Sequence, residues 1–201
     1  MAEIKILIEG YVKKLADGWL VAPSTVLIRD SGLNILVDPG SNKYLLKKRL
    51  GEENLKLSDI NIIFLTHHHL DHSLNVRIFP DCPILLGGDG MGNEADRIFS
   101  YANKIPKTEI NVISTPGHTY DHESLLAKTE LGKIVIAGDV WWWLDDEKQK
   151  IDYESLIIHE DHNPDPHGAK NKKLLKESRE KILGVADYVI PGHGKMFKVK
   201  K

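Results

Sequence analysis

The chain has 201 residues, of which 41% are hydrophobic and 28% are charged, a composition typical of a single globular domain spanning residues 1–201. The formal net charge of −2 gives no indication of nucleic acid or an anionic membrane as a partner, and no apolar run approaches the length needed to cross a bilayer. The N-terminus lacks the layout of a signal peptide, and Cys82 is the only cysteine, so no intrachain disulfide can form. We therefore expect a cytoplasmic protein with a buried thiol, and the sequence leaves the oligomeric state open.

The first half of the chain alternates apolar runs with turn signals, which favours a mixture of strands and helices. Asp30-Ser31-Gly32 separates two of these runs and predicts a β-hairpin. The glycine-rich stretch 87–92 matches neither a P-loop nor a dinucleotide-binding fingerprint, so we expect a mobile loop there. The predicted strands cover residues 4–12, 19–28, 34–37, 60–65 and 84–86, and the predicted helices cover residues 44–50 and 74–79.

The second half of the chain predicts a further strand at 110–114, a hairpin formed by 125–128 and 133–137, and a strand at 187–190. A long helix is predicted over 170–185, because its apolar residues fall on one face and its charged residues on the other.

The residues that follow the strand at 60–65 are rich in potential metal ligands: Thr66-His67-His68-His69-Leu70-Asp71-His72. In an extended segment, side chains two positions apart point to the same side, so His67 and His69 can bind one ion while His68 faces away. Asp71 and His72 are adjacent and can share a second ion only if the chain turns there. A zinc site takes four ligands, so this set would crowd one ion but fits two neighbouring ions. The other interpretations are a surface histidine cluster and a tag, although the stretch is neither uniform nor terminal.

Three later strands end in a glycine or a turn followed by another ligand-type residue, namely His118, Asp139 and His193. One such strand end is weak evidence, but several that converge with the first motif are typical of a site assembled from loops. Asp38 also follows a strand, where it can either support a metal centre from outside or cap a turn.

These motifs together resemble the metallo-β-lactamase superfamily over about residues 28–199. The matching segments are His67-x-His69-x-Asp71-His72, Thr115-Pro116-Gly117-His118-Thr119, Ala137-Gly138-Asp139 and Pro191-Gly192-His193-Gly194. The resemblance implies an α+β fold, an αββα four-layer sandwich with the metals at one edge. The chain differs from many members of the superfamily directly after the first motif, where it has Ser73-Leu74-Asn75 and they have Gly-Gly. In its length and single-domain organisation, the chain is similar to the superfamily's small single-domain hydrolases. In part it also resembles the lactonases and the glyoxalase II-like members.

The resemblance implies a dinuclear zinc centre, with iron or manganese as other metals. By position, the first ion would be bound by His67, His69 and His118, the second by Asp71, His72 and His193, and both by Asp139. A hydroxide formed there at neutral pH would cleave an ester, thioester, lactone or phosphodiester of a small-molecule substrate, and Asp71 would orient it or carry a proton. The alternatives are a mono-iron oxygenase of the persulfide dioxygenase type and a non-catalytic metal-binding domain.

Residues that contact the substrate are harder to predict. Trp141-Trp142-Trp143 follows Asp139, and neighbouring indoles point in different directions, so we expect Trp141 or Trp142 in a pocket wall or an oligomer contact. Tyr120 is a further candidate, although packing is the alternative for it. His122 either orients a ligand or begins a strand. The histidine-rich stretch 159–167 predicts a solvated lid, with a third metal site as the alternative.

Overall fold

The computed structural model describes residues 1–92, 97–162 and 169–200. Two mixed β-sheets lie face to face, and a separate two-stranded hairpin consists of β2 (Tyr11–Leu15) and β3 (Gly18–Ala22). In spatial order, the first sheet consists of β1 (Glu3–Ile8), β4 (Thr25–Asp30), β5 (Leu33–Val37), β6 (Ile62–Phe64), β7 (Ile84–Leu86), β8 (Asp89–Met91) and β9 (Ile98–Ser100). The second sheet consists of β10 (Asn111–Ser114), β11 (Glu123–Thr129), β12 (Gly132–Trp142), β13 (Tyr188–His193) and β14 (Phe197–Lys198).

Helices cover the outer faces of both sheets. The α-helices are α1 (Lys43–Glu52), α2 (Leu70–Ser73), α3 (Tyr153–Ile157) and α4 (Ala169–Val185), with short 3₁₀ helices at Leu57–Asp59 and Leu74–Ile78. The side chain of Asn42 accepts a hydrogen bond from the backbone N–H of Leu45 at 3.0 Å and caps the N-terminus of α1. Among the described residues, none of these helices is long and apolar enough to cross a membrane.

Three apolar clusters separate four layers. The central one lies between the two sheets and includes Ile35, Phe64 and Ile136. A second fills the space between the first sheet and α1, and a third lies between the second sheet and the helices α3 and α4. The central strand β6 and residues 35–37, the last three of β5, are apolar because both of their faces are buried. The αββα layering expected from the sequence is therefore confirmed.

The predicted hairpins form as β4–β5 and β11–β12. Two predicted strands were too long: 4–12 is divided between β1 and β2, and 19–28 between β3 and β4. The first division lies at Gly10, where a Cβ would stand 2.1 Å from the carbonyl oxygen of Gly192, so only glycine fits against the β13 segment. The prediction of a loop at 87–92 was wrong, because β7 and β8 pair there around Gly87 and Gly88, both of which have positive φ.

Candidate metal centre

The ligand-type residues come from four separate segments of the chain, which meet at one edge of the sandwich. His67 and His69 follow β6, and His69 directly precedes α2. Asp71 and His72 lie on that short helix, which supplies the turn that two adjacent ligands require. The remaining three are His118 in the loop 115–122, Asp139 within β12, and His193 at the end of β13.

The seven side chains form two groups, within each of which the potential ligand atoms lie no more than 4.8 Å from one another. The first group is His67, His69, His118 and Asp139, and the second is Asp71, His72 and His193. His68 belongs to neither, and its side chain is 61% exposed, as the alternation along an extended segment predicts.

The distances between the potential ligand atoms of the first group are close to those around a tetrahedrally coordinated ion. His118 Nε2 lies 3.1 Å from His69 Nδ1 and 3.3 Å from Asp139 Oδ2. His67 Nε2 lies 3.7 Å from the same Asp139 oxygen. Metal–nitrogen bonds of ~2.0–2.1 Å place the ligands of a tetrahedron roughly 3.3–3.4 Å apart. The ligand atoms therefore surround a space of the size that one ion needs.

The second group has similar dimensions. Asp71 Oδ2 lies 3.6 Å from His72 Nε2 and 3.5 Å from His193 Nε2. Asp139 faces this group with its other oxygen, Oδ1, which lies 3.3 Å from His72 Nε2 and 3.5 Å from His193 Nε2. Asp139 thus presents one carboxylate oxygen to each group.

Several atoms at the centre of this arrangement have no hydrogen-bond partner among the described residues. They are His67 Nε2, His72 Nε2 and Asp139 Oδ1, all of them buried. Buried polar atoms are nearly always paired, and divalent cations held by the two groups would satisfy all three. Although burial disfavours its charged form, the neighbouring His72 and His193 hold the pKa of Asp139 well below its usual range. The donor set therefore fits one or more metal ions.

The outward-facing nitrogens of the histidines are held by hydrogen bonds that fix which nitrogen points inward. Thr66 Oγ1 donates to Asp38 Oδ2 at 2.8 Å, so it accepts from His67 Nδ1 at 3.0 Å, which leaves the lone pair of His67 on Nε2. His193 Nδ1 donates to the carbonyl oxygen of Ala22 at 2.8 Å, with the same result for its Nε2. Such outer hydrogen bonds orient metal-binding imidazoles.

Asp38 connects both groups from outside. Its Oδ2 accepts from His72 Nδ1 at 2.9 Å as well as from Thr66 Oγ1, and its Oδ1 accepts from the backbone N–H of Thr66 at 2.9 Å. Burial alone would lower the pKa of His72, but the carboxylates of Asp139 and Asp38 raise it well above its ordinary value. Of the two roles open for Asp38 in the sequence, support of the metal centre is the one that its contacts match.

Two glycines allow the close packing of this edge. Gly138 has a φ of +53°, and a Cβ there would lie 2.6 Å from Thr66 Oγ1 and 2.8 Å from His122 Nε2. At Gly192, a Cβ would lie only 1.8 Å from Asp139 Oδ1. Any larger residue at either position would displace a group of the centre.

His122, one of the residues proposed to contact a substrate, is buried behind the metal groups. Its Nδ1 pairs with Thr115 Oγ1 at 2.9 Å, and its ring stacks on that of His67 with centroids 5.2 Å apart. Burial lowers its pKa to about 3, so the ring is neutral at pH 7. These contacts match a residue that orients a metal-binding histidine.

The other candidates for substrate contact differ among themselves. Trp142 lines the cavity described below, whereas Trp141 is fully buried and donates its indole N–H to the carbonyl oxygen of Leu156 at 2.8 Å. The expectation of Trp141 in a pocket wall is therefore corrected, because its side chain points into the core beneath α3. Tyr120 is 85% exposed and does not line this cavity.

An open cavity of about 260 Å³ lies directly over the two groups. Its floor carries His69, Asp71, His118, Asp139 and His193. Its walls are formed by Val12, Trp19 and Val21 of the β2–β3 hairpin and by Trp142 and His162. The metal groups are thus accessible to a small molecule.

The loop 159–162, for which a solvated lid was expected, packs against this cavity instead. Asp161 lies 3.3 Å from His118 Nδ1 and accepts a hydrogen bond from Trp142 Nε1 at 2.9 Å. His159 pairs with the carbonyl oxygen of Trp142 at 2.7 Å, and His162 pairs with Glu147 at 3.2 Å. No group of metal-ligand type in the described part of the chain includes these histidines, and His167 lies outside the described residues. Sequence reasoning placed Asp161 in the histidine-rich stretch but missed its contacts with Trp142 and His118, because these partners lie 19 and 43 positions away.

Comparison with known proteins agrees with this architecture. The sequence model of the metallo-beta-lactamase superfamily matches residues 18–81. Metallo-beta-lactamase domain-containing protein 1 of Xenopus laevis is 31% identical over 207 residues, which cover 98% of this chain and 82% of that protein. In the Mus musculus protein of the same name, the match is 32% identical and covers 82% of this chain but only 61% of that protein. A "Probable metallo-hydrolase" of Methanocaldococcus jannaschii is 31% identical over 98% of this chain and 94% of that protein.

Solved structures show the same fold. A metallo-beta-lactamase candidate from Thermotoga maritima superposes with a TM-score of 0.70 at 20% identity, covering 98% of this chain and 99% of that one. A second structure, of a protein in a di-iron-bound form, has a TM-score of 0.60 at 20% identity and covers 88% of this chain and 90% of that one. From the sequence relatives, the shared fold and the metal-binding arrangement of histidines and aspartates, the chain belongs to the metallo-beta-lactamase superfamily.

Proposed function

We propose that the chain is a metal-dependent hydrolase that binds two divalent ions. The first ion is held by His67, His69 and His118, the second by Asp71, His72 and His193, and Asp139 lies between the two. The observation that carries the proposal is the pair of ligand groups that meet at the two oxygens of Asp139, beneath an open cavity. The name of the archaeal relative, a metallo-hydrolase, supports the same reaction class.

Zinc is the metal that we propose for both positions. Imidazole nitrogens with one or two carboxylates suit zinc, and they also accept iron and manganese. The di-iron form of a protein with the same fold makes iron the competing metal in any test.

The ions would lower the pKa of a water molecule and polarise the substrate oxygen, which is the chemistry that a two-metal site supplies. The chain's own residues position these reactants. His67, His72 and His193 are held by their outer hydrogen bonds, so little rearrangement is needed as ligands bind.

Asp71 is the residue that we propose to orient the attacking water and to carry its proton. Its side chain is 22% exposed and lines the cavity, whereas the side chain of Asp139 is 5% exposed. Asp71 Oδ2 lies beside His72 and His193. The Asp71 carboxylate is therefore the part of the second group that borders the solvent in the cavity. The bond cleaved belongs to an ester, thioester, lactone or phosphodiester of a small molecule.

Metal content and hydrolysis test the proposal together. Elemental analysis of protein purified without added metal should find about two zinc ions per chain, and the double variant His67→Ala with His118→Ala should lose metal and activity together. His68→Ala is the matched control, because His68 is adjacent, exposed and outside both groups. Full metal content and activity in the double variant would refute the proposal. About one iron per chain, with oxygen consumption in the presence of a thiol persulfide, would replace it by the oxygenase alternative.

A further inference from the structure

Arg179 on the helix α4 carries a charge that neither ligand group uses, yet the residue is only 4% exposed. Burial lowers the pKa of Arg179 to about 10, whereas the carboxylate of Asp161 acts in the opposite direction. The guanidinium is therefore still charged at pH 7, and a charge in the interior is costly unless polar groups surround it. The hydrogen bonds of Arg179 show which groups these are.

The guanidinium connects two segments that border the metal centre. Its Nε donates to the carbonyl oxygen of Val140 at 3.1 Å, and Val140 directly follows Asp139 in β12. Its Nη1 donates to the carbonyl oxygens of Ile157 and His159 at 3.3 Å and 2.7 Å. These two acceptors lie at the end of α3 and at the start of the loop 159–162. Because the guanidinium is planar and rigid, it fixes the position of this loop relative to β12.

Neighbouring residues of α4 hold the loop that carries His118. Ser178 Oγ donates to the carbonyl oxygen of Pro116 at 2.7 Å, and Ser178 is 3% exposed. Leu175 packs against Gly117, where a Cβ would lie 2.5 Å from the backbone N and Cα of Leu175. The backbone of the loop therefore lies directly on the backbone of the helix. These contacts fix the position of the loop on α4.

The two segments that α4 holds meet where Asp161 contacts His118. Both carboxylate oxygens of Asp161 lie 3.3 Å from His118 Nδ1, although the residues are 43 positions apart in the sequence. Asp161 also accepts a hydrogen bond from Trp142 Nε1 at 2.9 Å. A hydrogen bond from His118 Nδ1 to this carboxylate leaves the lone pair on Nε2, which lies 3.3 Å from Asp139 Oδ2 in the first ligand group. The position of Asp161 therefore decides how the His118 ring presents Nε2 to an ion.

We propose that Arg179 is a positioning residue of the metal centre, which raises the affinity of the first ligand group for its ion by holding Asp161 against His118. The described acceptors of Arg179 are all backbone carbonyls, so its effect on the ligands is indirect. Loss of the guanidinium would release the loop 159–162 from β12, while Ser178 would still hold the loop of His118. The inference rests on the metal binding of the proposed function, and hydrolysis plays no part in it.

The indole N–H of Trp142 reports where Asp161 lies, with or without metal. The four tryptophans of the chain give four indole signals in a proton–nitrogen correlation NMR spectrum, and Trp142→Phe identifies the signal of Trp142. Asp161→Ala removes the acceptor of this N–H and should shift its signal. In metal-free protein, Arg179→Met should shift the signal in the same direction. Methionine fills a similar space without a charge, so this substitution disturbs the interior less than alanine does.

Metal affinity shows whether Arg179 acts through Asp161. In chelator competition, Arg179→Met should weaken the binding of one ion by about tenfold, as expected when a group that orients a metal-binding histidine is displaced. In the Asp161→Ala background no carboxylate remains to be positioned, so Arg179→Met should then change the affinity by less than about twofold. If Arg179 only stabilised the fold, the effects of the two substitutions would add.

Leu183→Ala is the matched control for a loss of stability in α4. Leu183 is 4% exposed, like Arg179, and belongs to the apolar cluster between the second sheet and α4. This variant should unfold at a lower temperature and keep both the Trp142 signal and the metal affinity. If Arg179→Met does not fold, Arg179→Lys keeps the charge but replaces two donor nitrogens by one, and it should show the same two effects at a smaller size.

An unmoved Trp142 signal in the folded Arg179 variant would overturn the inference, and so would an affinity loss of equal size with and without Asp161. Absence of metal binding by the unaltered protein would instead refute the proposed function. In that case the Trp142 signal alone decides whether Arg179 positions Asp161.

Discussion

The alanine substitution at Gly192 tests the metal centre through geometry alone. The backbone there needs no left-handed conformation, because Gly192 is not among the positive-φ residues. A Cβ at this position would lie 1.8 Å from Asp139 Oδ1, whereas real Cβ atoms essentially never approach closer than 3.0 Å. Asp139 or its surroundings must therefore move by at least about 1.2 Å. Parallel pairing of β12 with β13 and the bond from Ser24 N–H hold the backbone, so the carboxylate is the group that gives way.

The consequences of Gly192→Ala are large because Asp139 faces both ligand groups. A misplacement of about 1 Å near reacting groups costs on the order of 100-fold in rate, equivalent to about 2.7 kcal/mol of transition-state stabilisation. We expect a comparable loss of affinity for at least one of the ions. Competition of the desalted protein with a chelator of known affinity measures the ion binding, and kcat/KM for an ester that the unaltered protein cleaves measures the rate.

The matched control is Gly184→Ala in the helix α4, where an added Cβ meets no atom within 4 Å. Since alanine favours helix over glycine by about 0.8–1.0 kcal/mol, this variant should bind metal normally and unfold at a slightly higher temperature. If Gly192→Ala binds two ions with unchanged affinity, the assignment of Asp139 as the shared ligand is wrong.

Four further predictions follow from the surroundings of the metal groups. Asp38→Asn should weaken metal binding about 10–100-fold, because one amide oxygen cannot accept from Thr66 N–H, Thr66 Oγ1 and His72 Nδ1; an unchanged affinity in chelator competition would contradict this. Asp161→Ala should lower the affinity of the first group by a similar factor and change the fluorescence of Trp142, since it releases both His118 and the indole. In metal-free protein, the pKa of His122 is lowered from 6.5 to about 3, so the unfolded chain binds a proton below pH 6.5 that the folded chain does not. Between pH 6.5 and pH 5, the free energy of unfolding should therefore fall by about 1.6 kcal/mol more in the unaltered protein than in His122→Gln, as measured by urea titration. Burial raises the pKa of Cys82 to about 12, so a thiol reagent should label it quickly only in denaturant; rapid labelling of the folded protein would show that the thiol is accessible.

The side chains that the structure brings together in the two ligand groups can be found from the sequence because their signal is local. Five of the ligands follow an apolar strand within a few positions, and strand ends on one edge of a sheet meet in space. The other two were expected after strands, but His193 is the last residue of β13 and Asp139 lies within β12, which continues to Trp142. The alternation of His67, His68 and His69 correctly separated the exposed middle residue from its neighbours. The adjacency of Asp71 and His72 called for a turn, and α2 supplies it.

The cavity walls were not predictable in the same way, because they depend on contacts between distant segments. The runs 4–12 and 19–28 have the apolar character of single strands, and only the close approach of Gly10 to Gly192 explains why each is divided to give the separate hairpin. The three consecutive tryptophans are alike in sequence, yet Trp142 lines the cavity while Trp141 is buried. Alternation along the strand predicts that neighbouring indoles face opposite ways, but it does not say which of them faces the cavity, because the register of β12 shifts on both sides of Gly138.

The two ligand groups are linked twice, once within the centre and once behind it. Asp139 presents one oxygen to each group. Behind them, Thr66 Oγ1 accepts from His67 Nδ1 and donates to Asp38 Oδ2, which also accepts from His72 Nδ1. A displacement of His67 in the first group is therefore transmitted to His72 in the second group through three hydrogen bonds. Because the link behind the groups is buried and hydrogen-bonded throughout, the fold fixes the spacing of the two groups before any ion binds. Preorganised catalysis requires this condition.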